Sequence, residues 1–256
     1  MALSQPLRSI LFVPGNKERM LEKARSLPAD AVILDLEDGV PPGEKGPARA
    51  TVRRALEGDA YGPQVILRLN AFSTGLAEVD LQEAFHPKLD AVCLPKAKGV
   101  GDFERLASML ETMEMERGLP TGAVDVLFMV ESALGVLIAY DMARASQRVR
   151  ALGLGGEDLS KDLGAIRTRE DQELAHARAH LVIAARAAGA LAIDTIYADL
   201  NDFDGLLADA GRAQQMGYSG KLLIHPAQIQ PAHKAFGPNR EELEYARRVV
   251  EAFEAA

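Results

Sequence analysis

Short, unbroken apolar runs recur along the chain at regular intervals. They fall at residues 10–13 (ILFV), 31–34 (AVIL), 65–67 (VIL), 91–94 (AVCL), 126–130 (VLFMV), 151–154 (ALGL), 191–193 (LAI) and 222–224 (LLI). Continuity, rather than alternation with polar residues, predicts parallel strands covered on both faces. Helical periods lie between them. Asn16 is expected to cap a helix carrying Met20, Leu21, Ala24 and Leu27, stopped by Pro28. Residues 168–188 place Leu174, Ala177, Leu181, Ala185 and Ala188 at steps of three or four. A last helix is expected to start at Asn239, with Glu242 completing a capping box, and to bury Leu243, Ala246, Val249, Val250 and Phe253. Strand–helix alternation gives parallel βα units with right-handed crossovers. Eight such units in about 250 residues favour an α/β fold of the (β/α)8 TIM-barrel type over an open doubly wound sheet. The PPGEKG stretch at 41–46 reads as a loop within one unit, so residues 1–256 are expected to form a single barrel domain.

Composition narrows the function classes. Apolar residues make up 48% and charged residues 26%, the balance of a soluble globular chain. A net charge of −8 argues against nucleic acid as a partner, because phosphate binding needs a basic face. No apolar stretch approaches the roughly 20 residues that span a bilayer, so no membrane partner is expected. The N-terminal residues lack the apolar core of a secretory signal. The lone Cys93 excludes an internal disulfide and a cysteine-rich zinc site. A cytoplasmic metabolic protein is the expectation.

In a parallel barrel the chemistry sits where strands end. Polar residues follow each run: Asn16; Asp35, Glu37 and Asp38; Arg68 and Asn70; Lys96; Glu131; Glu157 and Asp158; Asp194 and Thr195; and His225. Glu131 directly follows a five-residue apolar strand, and Asp158 follows a run with glycines at 153, 155 and 156 that permit close approach. Two carboxylates on adjacent strands suit Mg²⁺, which fills its remaining positions with water or substrate oxygens. The alternative is that both cap the following helices. Arg68 ends an apolar strand, where a guanidinium would grip a substrate carboxylate with paired hydrogen bonds. The alternative is a structural ion pair with the acidic loop at 35–38. No Gly-Lys-Ser/Thr follows the glycines, which excludes a phosphate loop. Cys93 reads as a small core residue, and Lys17, Arg19 and Lys96 as either contacts for an anionic ligand near the barrel mouth or surface charge.

The segments 8–16 (RSILFVPGN), 31–40 (AVILDLEDGV), 66–70 (ILRLN), 130–135 (VESALG) and 152–164 (LGLGGEDLSKDLG), with 192–199 (AIDTIYAD) and 220–226 (GKLLIHP), resemble the HpcH/HpaI aldolase and citrate lyase family. The likeness is greatest to the citrate lyase β-subunit type. The resemblance implies a TIM-type barrel with Mg²⁺ on Glu131 and Asp158. It implies substrate binding by Arg68 and Glu131, and a catalytic acidic pair at Glu37 and Asp38. The implied reaction makes or breaks a C–C bond between a keto acid and an acyl thioester of CoA or an acyl-carrier protein. It also implies a homo-oligomer, a trimer or a multiple of one. Two other readings stay open: a β-subunit that acts only within a multi-subunit citrate lyase, and a non-catalytic keto-acid or CoA-binding regulator. Longer members carry a C-terminal segment that closes over a neighbouring site and supplies a catalytic acid. The residues after Ile224 are taken up by helical stretches, so a barrel without that lid is expected.

Overall fold

The computed structural model describes residues 3, 6–238 and 240–254, the residues 240–243 and 254 by backbone alone. Eight strands form a closed parallel barrel in sequence order. They are β1 (Ser9–Pro14), β2 (Ala31–Asp35), β3 (Gln64–Arg68), β4 (Ala91–Leu94), β5 (Asp125–Val130), β6 (Val149–Leu154), β7 (Leu191–Asp194) and β8 (Gly220–Leu223). Pairing of β1 with β8 closes the ring, so no strand edge is left unpaired. Helices between the strands cover its outside, as the alternation predicts.

The continuous apolar runs resolve into two interleaved sets, because successive side chains of a strand point to opposite faces. Ile10, Ile33, Ile66, Cys93, Leu127, Ala151, Ile193 and Leu222 form one buried cluster, to which every strand contributes; this is the barrel interior. Leu11, Val32, Leu67, Val92, Phe128, Leu152 and Leu223 belong to a second cluster shared with the helices. The interior parity continues upward at two-residue steps. It delivers Phe12, Asp35, Arg68, Met129, Glu131, Gly155, Thr195 and Ile224 to the carboxyl end of the ring.

Asp194 has the opposite parity and does not reach that end. It joins a buried charge network with Lys221, whose Nζ lies 2.6 Å from both Asp194 and Asp209, and with Arg178, 2.7 Å from Asp194. The network ties β7 and β8 to the helices Ala175–Ala187 and Phe203–Met216. Such a buried set fixes position more than it adds stability.

Two helical expectations are corrected. The first helix runs Glu18–Ala24 and is not capped by the Asn16 side chain, which donates instead to Glu44. The last helix runs Arg240–Glu254, but its apolar face is not covered: Val249, Val250 and Phe253 are 48%, 54% and 86% exposed. Asn239 and the side chains of Glu242 and Leu243, on which the expected cap partly rests, lie outside the described residues. Among those residues no helix is long and apolar enough to cross a membrane.

Candidate active site at the carboxyl ends of the strands

A cavity of about 400 Å³ opens at this end of the barrel, walled by Phe12, Arg68, Met129, Glu131, Asp158 and Thr195 among others. Its size suits a small organic ligand.

Arg68 is buried at the end of β3. Its Nε and Nη2 donate to the two oxygens of Asp35, each at 2.7 Å, and its guanidinium lies 4.5 Å from the Phe12 ring centre. Burial would raise the Asp35 pKa, but the paired bonds and charge of Arg68 outweigh it and hold the carboxyl below its ordinary range. Arg68 is thus ion-paired to the acidic loop, as one of its two readings expects, and it also lines the cavity. Arg68 Nη1 lies 3.0 Å from Glu37 Oε2, without the alignment of a hydrogen bond.

The acidic loop wraps this pair. The backbone N–H groups of Glu37 and Gly39 donate to Asp35 at 2.8 Å, and Lys45 Nζ donates to the carbonyls of Leu36 and Glu37. Asp38 lines the cavity. Glu37 sits behind it, buried, with its pKa raised by burial and only partly offset by Arg68 and Lys96.

Glu131 is almost fully buried, and burial together with the charge of Glu37 pushes its pKa up to about 8. It caps no helix; the following helix Ala133–Leu137 is capped by Ser132, whose Oγ accepts from Gly135 N. Gly155 makes room for it. A Cβ at that position would stand 2.2 Å from Glu131 Cγ. Asp158 lies in the first turn of the helix Gly156–Asp162 and is one-third exposed, at the cavity wall. Among the described residues no three His, Cys, Asp or Glu side chains converge on a cation position. Two carboxylates on one cavity wall, one of them buried, still match what Mg²⁺ requires of a protein.

Lys96 was read from the sequence as a strand-end residue that either meets an anionic ligand or is surface charge. It does not contact outer surface but bridges the carboxylates: its Nζ lies 2.7 Å from Glu37 and 2.8 Å from Asp158. Asn70 and His225, also strand-end residues, are used structurally. Asn70 Nδ2 donates to Leu36 O and Asp80, and His225 accepts from Ala227 N in a short helical turn. Thr195 accepts from Gly156 N at 3.0 Å, and Cys93 is buried in the barrel interior.

Residues 8–226, which hold all eight strands and every side chain of this site, match the HpcH/HpaI aldolase/citrate lyase family. The chain belongs to that family. It is 39% identical over 250 residues to the citrate lyase subunit beta of Escherichia coli strain K12, covering 97% of this chain and 83% of the relative. It is 40% identical over 255 residues to a (3S)-malyl-CoA thioesterase of Cereibacter sphaeroides, covering 99% and 85%. Among solved structures, a citrate lyase beta subunit complexed with oxaloacetate and magnesium from M. tuberculosis superposes with a TM-score of 0.78 at 31% identity, covering 93% of this chain and all of that one.

Proposed function

We propose that this HpcH/HpaI family member is a Mg²⁺-dependent carbon–carbon lyase. It would split a citryl-, malyl- or citramalyl-type thioester into a keto acid and an acyl thioester, or join the two in reverse. The observation that carries the reading is that the buried Glu131 carboxyl, the Asp158 carboxylate and the guanidinium of Arg68 line one cavity. Relatives named for citrate lyase and for malyl-CoA chemistry, and a relative holding oxaloacetate with magnesium, support it.

In this reading Glu131 and Asp158 hold the ion. When bound it supplies Lewis acidity to the substrate hydroxyl and adjacent carboxylate. Asp35 occupies the Nε/Nη2 edge of Arg68 and Glu37 lies beside Nη1, so a substrate carboxylate would meet the remaining N–H groups of this guanidinium at the cavity wall. Asp38, on the wall, takes the hydroxyl proton, while Glu37 behind it orders Arg68 and Lys96. The C–C electron pair then passes to the carbon next to the thioester carbonyl as an enolate, which is quenched by the proton that Asp38 took from the hydroxyl. Phe12 and Met129 give the cavity an apolar wall that restricts water around this carbanion-like species. Exposed Leu134, Leu137, Leu163 and Ile166 on neighbouring segments support a homo-oligomer, and the buried single cysteine suits a cytoplasmic setting.

The test is to incubate the purified chain and Mg²⁺ with citryl-, malyl- and citramalyl-CoA, following keto acid and free thiol separately. Keto acid without free thiol is the expected result. Free thiol without keto acid would replace the lyase with a thioester hydrolase, the second reading that the malyl-CoA thioesterase relative favours. Turnover only after acyl-carrier and transferase subunits are added would identify a β-subunit, and no turnover with intact keto-acid binding a regulator. Gly155→Ala provides an independent check on the ion. The added methyl must displace Glu131, so Mg²⁺ affinity measured by calorimetry should fall by roughly tenfold or more with the circular dichroism spectrum unchanged.

A further inference from the structure

Lys96 has a backbone conformation that its neighbours do not share. It follows Pro95 at the end of β4 and takes φ +52°, in the left-handed region that residues with a Cβ rarely adopt. Cys93 faces the barrel interior, so simple alternation would send a residue three positions later to the other side. The left-handed turn breaks that alternation. It places the Lys96 backbone N–H 3.1 Å from Glu131 Oε2, while the ammonium reaches Glu37 Oε1 at 2.7 Å, Asp158 Oδ2 at 2.8 Å and, more loosely, Asp38 Oδ1 at 3.6 Å. One residue thus touches every acidic side chain assigned above to the ion or to proton transfer. Arg68 pairs with Asp35 and lies beside Glu37, and Lys45 bonds to loop carbonyls.

Burial would lower the Lys96 pKa, but the hydrogen bonds to Asp158 and Glu37 outweigh it and raise it, so the side chain is a cation at any physiological pH. Mg²⁺ seeks the same carboxylates at about 2.1 Å and demands near-octahedral placement of its ligands. A divalent ion on Asp158 and an ammonium 2.8 Å from that same carboxylate are like charges a few ångströms apart in a partly desolvated site.

We propose that the Lys96 ammonium is a tethered counter-cation that holds Asp158 in the metal-free protein and gives it up, keeping Glu37, when a divalent cation binds. Lysine release and ion binding are then one event. The site is kept ordered and charge-compensated while empty of metal, at the expense of metal affinity. The inference rests on the assignment of Glu131 and Asp158 as the ion's ligands.

Calorimetric titration with MgCl₂ at pH 7.5 tests it on the wild type, Lys96→Met, Lys96→Gln and Asp158→Asn. The neutral variants should bind Mg²⁺ at least about tenfold more tightly than the wild type, because the competitor is gone. Metal-free, they should melt lower than the wild type, and Mg²⁺ should raise their Tm by more. Lys96→Gln keeps hydrogen-bond donors without the charge, so it remains informative if Lys96→Met does not fold. Unchanged or weaker Mg²⁺ affinity in the folded neutral variants, with binding still lost in Asp158→Asn, would overturn the lysine competition and leave the metal site standing. Wild-type affinity in Asp158→Asn would instead remove Asp158 from the metal site, and the competition with it.

Discussion

Glu131→Gln is expected to lower Mg²⁺-dependent turnover by roughly a thousandfold or more, and at the same time to raise the Tm of the metal-free protein at pH 8.5. The two effects have one cause. Burial, and secondly the charge of Glu37, push the Glu131 pKa up to about 8, against 4.5 for an unperturbed glutamate. In metal-free protein the folded state therefore keeps a proton that the unfolded chain releases. Stability must fall as pH rises from about 4.5 through about 8, by a few kcal/mol in all. Glutamine cannot ionise, and its amide oxygen still accepts from the Lys96 N–H. The variant should show a nearly flat Tm across that pH window where the wild type declines. Mg²⁺ reverses the order, since it stabilises ionised Glu131 in the wild type and has no second carboxylate to bind in the variant. Thermal melts from pH 5 to 9 with and without MgCl₂ check both parts. A variant that melts below the metal-free wild type at pH 8.5, or that keeps the Mg²⁺-induced rise in Tm, would contradict this account.

The architecture was readable because both faces of each strand are apolar, which makes the runs at 31–34 or 126–130 conspicuous in one dimension. Which residue of a run faces inward was not, because parity acquires meaning only once the ring closes. Asp194 and Thr195 are adjacent in the chain, yet one is locked among Arg178 and Lys221 outside the barrel while the other lines the cavity. Lys96 is the harder case. Its position depends on a positive φ at a lysine, which no propensity predicts and which the surrounding contacts must enforce. Glu131, Asp158 and Arg68 were legible because they continue strands directly or follow a glycine-rich strand end. The final helix shows the opposite limit. Its period defined an apolar face correctly, but periodicity does not say what covers that face, and Val249, Val250 and Phe253 stay exposed.

Arg68→Met should weaken keto-acid binding by roughly a hundredfold and also destabilise the fold, and a second substitution separates the two. Asp35 is 2% exposed, and its other hydrogen bonds come from the backbone N–H groups of Glu37 and Gly39. Removing the guanidinium leaves a buried carboxylate without its counter-charge, a loss of about 3–5 kcal/mol in comparable pairs. The Asp35 pKa is lowered in the fold, so the pair's contribution is present at neutral pH and is lost as pH falls through the folded pKa below 3.8. The single variant should accordingly be weakest near neutrality and lose its deficit in acid. Adding Asp35→Asn removes the stranded charge while keeping an acceptor for one of the two N–H groups. Urea denaturation at pH 7 should show the double variant recovering about 1–2 kcal/mol of the loss. Oxaloacetate affinity should remain depressed by roughly a hundredfold in both, because among the described residues lining the cavity Arg68 is the one Lys or Arg. Recovery of binding together with stability would make Arg68 a structural residue whose place in the wall is incidental. Loss of binding without loss of stability in the single variant would mean that Asp35 finds another partner, with Lys45, already bonded to the neighbouring carbonyls of Leu36 and Glu37, the nearest candidate.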